Sequence, residues 1–428
     1  MQITSSAKAQ EARHRWEIAW PLILLSVVAL ANNIDWNSLY SLAGTVQHQF
    51  HLSDTQLAMI ENSPVLLSAI FGVLIAAYAD RSHRLRIVAF GMLVWAGLTG
   101  LRGLANSFVP LLVLCALSGI GYGSFAAPST SLLCDLYSPQ VRSQVLGFQG
   151  AAQYLGSFLG FLLPGLLLLI LDWRLIFVAV AAFALIFFVP LLRLREPARG
   201  ALEGYAHQPE ESWWINNWQG VSSLFRTEGG RVAVFGLGIQ ALSIGAIGSF
   251  LAIFLTRYFV LPPSAADDVV ALVVFIIVFG AAGGGILAGS LRKRVGVGSY
   301  AVVAGAATFA LGLLFTLAVV LYAFLGLLWF TMLTVVCGVL LGITLAPLSA
   351  LVGDKTSPAH RSLAYAVQLF VATLFQACGG IGLGIISDRL HSLQGAYVLF
   401  SIVLIAVGIW MILRFRAIQD ETGKESQA

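Results

Sequence analysis

Two carboxylates, Asp35 and Glu61, stand inside long apolar stretches, away from the clusters of Lys and Arg. A charge at such a depth is costly, and a carboxyl group there is suited to taking up and giving back a proton. Asp35 lies among Asn32, Asn33, Asn37 and Tyr40. At helical spacing Asn33, Asn37 and Tyr40 share one face, and Asn32 and Asp35 share another. Gln149, Gln153 and Ser157 recur every four residues and form a polar stripe. Tyr122, Gln240, Tyr365 and Gln368 add isolated polar groups to other apolar stretches. Polar side chains facing lipid are costly, so the set reads as the lining of an internal cavity. The competing role for each single group is a hydrogen bond between helices.

No His, Cys and Asp spacing suits a metal, and no Ser-His-Asp set or Walker A sequence is visible. The reading is therefore not an enzyme, not an ATP-driven pump, and without cofactors. The glycine runs Gly119-x-Gly121-x-Gly123 and Gly380-x-Gly382-x-Gly384 lie within apolar stretches and suit close helix packing, not a nucleotide.

These residues must be positioned by membrane helices. Of 428 residues, 58% are hydrophobic and only 10% charged, which excludes a water-soluble globule. The four cysteines (Cys115, Cys134, Cys337, Cys378) all fall in apolar stretches and read as reduced packing residues. The formal charge of +4 gives no reason to expect a nucleic-acid partner. A bilayer crossing takes about 20 apolar residues. Such stretches run over 17–45, 57–79, 86–105, 109–133, 143–171, 174–193, 231–256, 269–291, 299–322, 325–352, 362–387 and 395–413. The expected fold is all-α, with twelve transmembrane helices in two pseudo-symmetric six-helix bundles at 1–193 and 231–416. With the N-terminus inside, 20 of the 24 Lys and Arg fall on the inner side, which fixes span count and orientation. The first stretch is too long for a cleaved signal. Residues 194–230 form a cytoplasmic linker, in which Trp214, Trp218, Val221 and Phe225 share one face of an expected amphipathic helix. Residues 417–428 form a cytoplasmic tail. The third, sixth, ninth and twelfth stretches are nearly devoid of polar groups and are expected to face lipid.

A shift of 219 residues lays Asp135-Leu-Tyr-Ser138-Pro139-Gln-Val-Arg142-Ser143 on Asp354-Lys-Thr-Ser357-Pro358-Ala-His-Arg361-Ser362. Pro128 then meets Pro347, Gln149 meets Gln368, and Gly160 meets Gly379. The chain is thus a parallel repeat of two halves. Ala77-Tyr78-Ala79-Asp80-Arg81-Ser82-His83-Arg84-Leu85-Arg86 resembles the loop 2–3 signature of the major facilitator superfamily, with Ala in place of the leading Gly. The equivalent loop of the second half, Ser290 to Gly296, keeps its basic residues but has no Asp.

The resemblance implies a secondary transporter working by alternating access on a small-molecule substrate in the lipid bilayer. It implies a gate built from Asp80, Arg81, Arg84, Asp135, Arg142, Asp354 and Arg361. Asp80 would dock at the N-terminus of the eleventh span, where a helix dipole favours an anion, with Arg142 beside it and no second Asp to match it. Asn33-Ile34-Asp35 and Arg195-Glu196-Pro197-Ala198-Arg199-Gly200 are similar to the spinster-like group, which implies a lipid-like substrate. That group's span-4 Arg and Glu fall here on Cys115 and Tyr122, and its Asp is followed by Trp36 instead of Arg. Coupling protons are expected on Asp35 and Glu61. Because Arg102, Arg257 and Arg389 are placed at outer ends, no cation is expected at mid-span, which favours a neutral, amphipathic or cationic solute. A multidrug-type proton antiporter and a non-transporting scaffold are the other readings. A monomer in a bacterial inner membrane, with both termini cytoplasmic, is expected.

Overall fold

The computed structural model describes residues 2–52, 54–200, 222 and 224–425. Its helices supply twelve stretches long and apolar enough to cross a bilayer. In chain order spans 1–6 are Ala19–Leu42, Met59–Ala79, Arg84–Arg102, Phe108–Leu136, Arg142–Leu167 and Trp173–Leu192. Spans 7–12 are Glu228–Tyr258, Asp268–Val295, Ser299–Val320, Tyr322–Lys355, Arg361–Leu390 and Leu393–Glu421. The expected amphipathic helix falls mostly on 201–221, outside the described residues.

Local chemistry explains the breaks. Asp172 caps span 6 by accepting a hydrogen bond from the Arg174 amide at 2.9 Å. Span 4 is two helices, Phe108–Gly123 and Ala126–Leu136. Pro128 has no N–H to give to the Ser124 carbonyl, and the chain bends there. Pro347, its repeat mate, sits inside an unbroken helix end in span 10.

The two halves are built alike. Span 1 packs on span 5, and span 7 on span 11. Span 2 packs on span 4, and span 8 on span 10. The halves meet through span 5 against spans 8 and 10, and through span 11 against spans 2 and 4. Both principal pairs within the halves rest on repeat-related glycines. A Cβ on Gly160 would stand 2.7 Å from the Ile34 carbonyl oxygen, and one on Gly379 would stand 2.0 Å from that of Leu242. The helices therefore touch backbone to backbone, as small residues allow in membranes.

Gly160→Leu and Gly379→Leu are each expected to destabilise the fold by about 1–3 kcal/mol through overpacking. The expected readout is a lower unfolding temperature in detergent. Gly382→Ala, whose added methyl meets nothing within 4 Å, should leave that temperature nearly unchanged.

Candidate functional site

Asp35 is fully buried and sits in a hydrogen-bonded cluster drawn from three spans. Its Oδ1 lies 3.2 Å from Nη1 of Arg102, at the end of span 3. Its Oδ2 accepts from the Thr99 hydroxyl at 2.7 Å and from the Tyr122 hydroxyl at 2.5 Å. Nη2 of Arg102 donates to Ser118 at 2.5 Å and to Tyr122 at 3.1 Å. The guanidinium also packs over the Phe177 ring at 5.7 Å. Arg102 ends its helix as expected but points inward with no exposure, which corrects the expectation that no cation lies among the polar groups of the spans. It meets Asp35 beside Cys115, where the resembling group carries its span-4 arginine. The buried cation that pairs with Asp35 is carried by span 3. No spacing in the sequence shows this; the signal available was the missing arginine at Cys115.

Between the halves lies a cavity of about 890 Å³. Spans 1, 2, 4, 5, 7 and 11 line it, and spans 3, 6, 9 and 12 contribute nothing to it. Asn32, Asn33, Tyr40, Tyr122 and Gln153 are among its lining residues. Trp36, Phe250, Phe370 and Thr373 line it too, although their types gave no signal in the sequence. No Asp, Glu, Lys or Arg is among its lining residues. Tyr122 is the one member of the Asp35 cluster that also faces the cavity; its ring lies edge-on to Trp36 at 4.9 Å.

Five residues expected on the wall are placed elsewhere, because backbone or neighbouring groups take up their polarity. Asn37 donates to the Asn33 carbonyl at 2.8 Å. Gln149 donates to Ser129 at 3.2 Å, and Gln368 to the Ala233 carbonyl at 2.9 Å. Gln240 donates to the Leu341 carbonyl at 2.7 Å. Tyr365 donates to the Ser349 carbonyl at 3.0 Å and also meets the Cys134 thiol. Glu61 is half-buried on span 2, outside the cavity lining, with the Tyr40 hydroxyl near its backbone carbonyl.

At the arginine-rich end the halves are joined by charge. Arg361 binds Asp135 at 2.5 Å, and Arg142 binds Asp354. These four residues are related by the 219-residue repeat, so each half gives the other the same pair. Each aspartate has a second arginine from its own half: Arg84 on Asp135 at 2.6 Å and Arg292 on Asp354 at 3.0 Å. Asp80 accepts from the backbone amides of Ser362 and Leu363 at 2.9 and 2.8 Å, at the N-terminus of span 11. Burial raises its pKa to about 6, against the pull of those amides and of Arg199. Arg142 is not beside Asp80 as expected, because Asp354 holds it. Arg81 is exposed at the turn between spans 2 and 3. Glu196 and Arg199 complete this end. Glu196 accepts from the amides of Arg84 and Leu85 that open span 3, and Arg199 donates to the Ala79 and Ser82 carbonyls that close span 2.

The cavity ends close to this network, at Ala127 and at Ala366, next to Tyr365. Its two sides come from the two halves, and the paired charges seal one end.

Among known sequences, the profile described as Major Facilitator Superfamily matches residues 25–234. The chain is 29% identical over 170 residues to the hexuronate transporter of Bacillus subtilis (strain 168), covering 40% of each. It is 24% identical over 284 residues to the sphingosine-1-phosphate transporter SPNS2 of Xenopus tropicalis, covering 62% of this chain and 51% of that one. The chain spans about half the length of the curated relatives it matches. The solved bacterial homolog of the human lysosomal transporter Spinster, inward-facing and unoccupied, is similar with a TM-score of 0.57 at 20% identity, over 94% of this chain and 98% of that one. The solved major facilitator superfamily transporter FucP in the outward conformation is similar with a TM-score of 0.69 at 15% identity, over 93% of this chain and 99% of that one. The profile match over residues 25–234, the twelve spans and the shared architecture show that this chain has the fold of the major facilitator superfamily and resembles that family in sequence through its first half.

Proposed function

We propose that the chain is a secondary active transporter in which two repeat-related bundles rock about the central cavity, moving a small neutral, amphipathic or cationic solute. One observation carries the reading: a cavity of about 890 Å³ between the halves, free of charged lining residues and closed at one end by pairs that can part and re-form. A strongly anionic solute leaving water would need a cationic partner. The cavity offers none, and the Arg102 charge is matched by Asp35. A lipid-like solute is the second reading, favoured by the similarity to SPNS2 and by the apolar wall of Val65, Phe250, Leu369 and Phe370. The excess of basic residues at the sealed end supports a cytoplasmic position for it.

Coupling is assigned to Asp35. When Asp35 takes a proton, Arg102 loses its counter-charge in a buried site, an arrangement that costs several kcal/mol. The strain is relieved by regrouping around Tyr122, whose hydroxyl touches both charges and whose ring borders the solute. Solute and proton thereby act on one side chain. Asp80 contributes at the gate. Its raised pKa means that the docked form holds a proton more tightly than the free form, so docking strengthens as pH falls through about 6. The gain is complete below the ordinary carboxyl value of about 4.

Two experiments follow. In proteoliposomes screened with a solute panel, a pH gradient should drive flux in the wild type. Asp35→Asn combined with Arg102→Gln, which leaves no buried charge unpaired, should carry the solute downhill without responding to the gradient. Tyr122→Phe should lower gradient-driven flux about tenfold, the worth of one strong hydrogen bond. A double variant that kept full dependence on the gradient would remove Asp35 from coupling. An absence of flux for every solute and gradient in the wild type would remove the transporter reading itself. In hydrogen exchange corrected for intrinsic rate, the Ser362 and Leu363 amides should become better protected as pH falls from 7 to 5, and Asp80→Asn should flatten that change.

A further inference from the structure

A second hollow, of about 600 Å³, lies on the outer side of the first half between spans 2, 3 and 4. Its floor is the meeting of Gly91 and Gly121, where a Cβ on Gly121 would stand 2.7 Å from the Gly91 carbonyl oxygen. Two helices in backbone contact leave a recess along their seam. The walls are apolar: Phe90 is 67% exposed and Tyr78 is 64% exposed, with Val94 and Ile120 deeper in. From Arg86 to Val94 the groove follows nine residues of span 3, about 12 Å of helix.

Its mouth opens at the arginine-rich end, on Arg86. Nearby charges there are spoken for. Arg84 holds Asp135 and Glu196, and His83 lies 3.6 Å from Glu196. Glu196 is itself neutralised by Arg84 and the span 3 amides, so it does not repel an anion at the mouth. Among the described residues the exposed Arg86 guanidinium makes neither an ion pair nor a hydrogen bond. A free cation at the interface above an apolar trough complements one class of molecule, an anion carrying a hydrocarbon chain.

We propose that this groove holds one anionic phospholipid of the surrounding leaflet, with its phosphate on Arg86 and an acyl chain along Phe90 and Val94. The site is separate from the solute cavity, since the two share no lining residue. It touches the turn that carries Asp80, so an occupied groove braces the loop between spans 2 and 3.

The test is native mass spectrometry of the full chain in detergent, with dioleoyl phosphatidylglycerol or dioleoyl phosphatidylcholine added. The wild type should retain one phosphatidylglycerol in preference to phosphatidylcholine. Arg86→Ala, which removes the charge, and Ile120→Trp, which fills the trough, should each weaken that retention about fivefold. Val94→Trp replaces Ile120→Trp should the latter unfold. Arg416→Ala, an exposed arginine at the same end of the other half, should change nothing. Retention unaltered by the groove variants, equal retention of both lipids, or an equal loss in Arg416→Ala would overturn the proposal.

Discussion

Charge buried in a medium of low polarity has to be paired, and removing one partner costs about 3–5 kcal/mol. That constraint organises both polar centres of this molecule. In the middle of the first half, Asp35 and Arg102 hold each other with no exposure. At the arginine-rich end, Asp135 and Asp354 each sit between two arginines, one from each half. The two centres use the same chemistry for different ends. The first lies within one bundle, so its pairing survives a rigid movement of the halves. The second lies between bundles, so any such movement must break it, and water entering from that end would then hydrate the freed charges.

The repeat makes the second centre nearly symmetric. Arg142 and Arg361 are equivalent, as are Asp135 and Asp354, and each pair crosses to the other half. The symmetry fails at Asp80. The equivalent loop of the second half, Ser290 to Gly296, has no Asp, and among the described residues no carboxylate of the second half is seen on the N-terminus of span 5. Close packing takes its place there: a Cβ on Gly285 would stand 2.4 Å from the Ser143 carbonyl oxygen. One side of the gate is therefore held by an ionisable group and the other by backbone contact.

The architecture was legible in the sequence because it rests on features that repeat along the chain: apolar length, the side on which positive residues fall, and the 219-residue self-match. Asp80 was anticipated through the resemblance of its loop to the family signature, which implies docking at a helix start. Arg102 was not. Its position is at a helix end, and its inward path depends on the acceptors Asp35, Ser118 and Tyr122 on neighbouring helices. Gln149 and Gln368 show the opposite failure. Both are polar within a span, yet each satisfies itself on a neighbouring helix and never reaches the cavity. Polarity marks a buried helix face, and only packing decides whether that face meets a partner or a solute. Trp36 and Phe370 reached the wall unannounced for the same reason, because aromatic residues on a span look alike whether they meet lipid or a solute.

The central claim is that the halves move as bodies about the cavity, with the charged end parting as the other end closes. Spin labels at Gln140 and Ser357 report on the charged end, and labels at Asn106 and Val260 report on the opposite end. Distances should be measured by double electron–electron resonance in liposomes as a transported solute is added and the pH is changed. The account predicts opposite changes, one distance lengthening as the other shortens. Two distances that stay fixed, or that lengthen together, would contradict it.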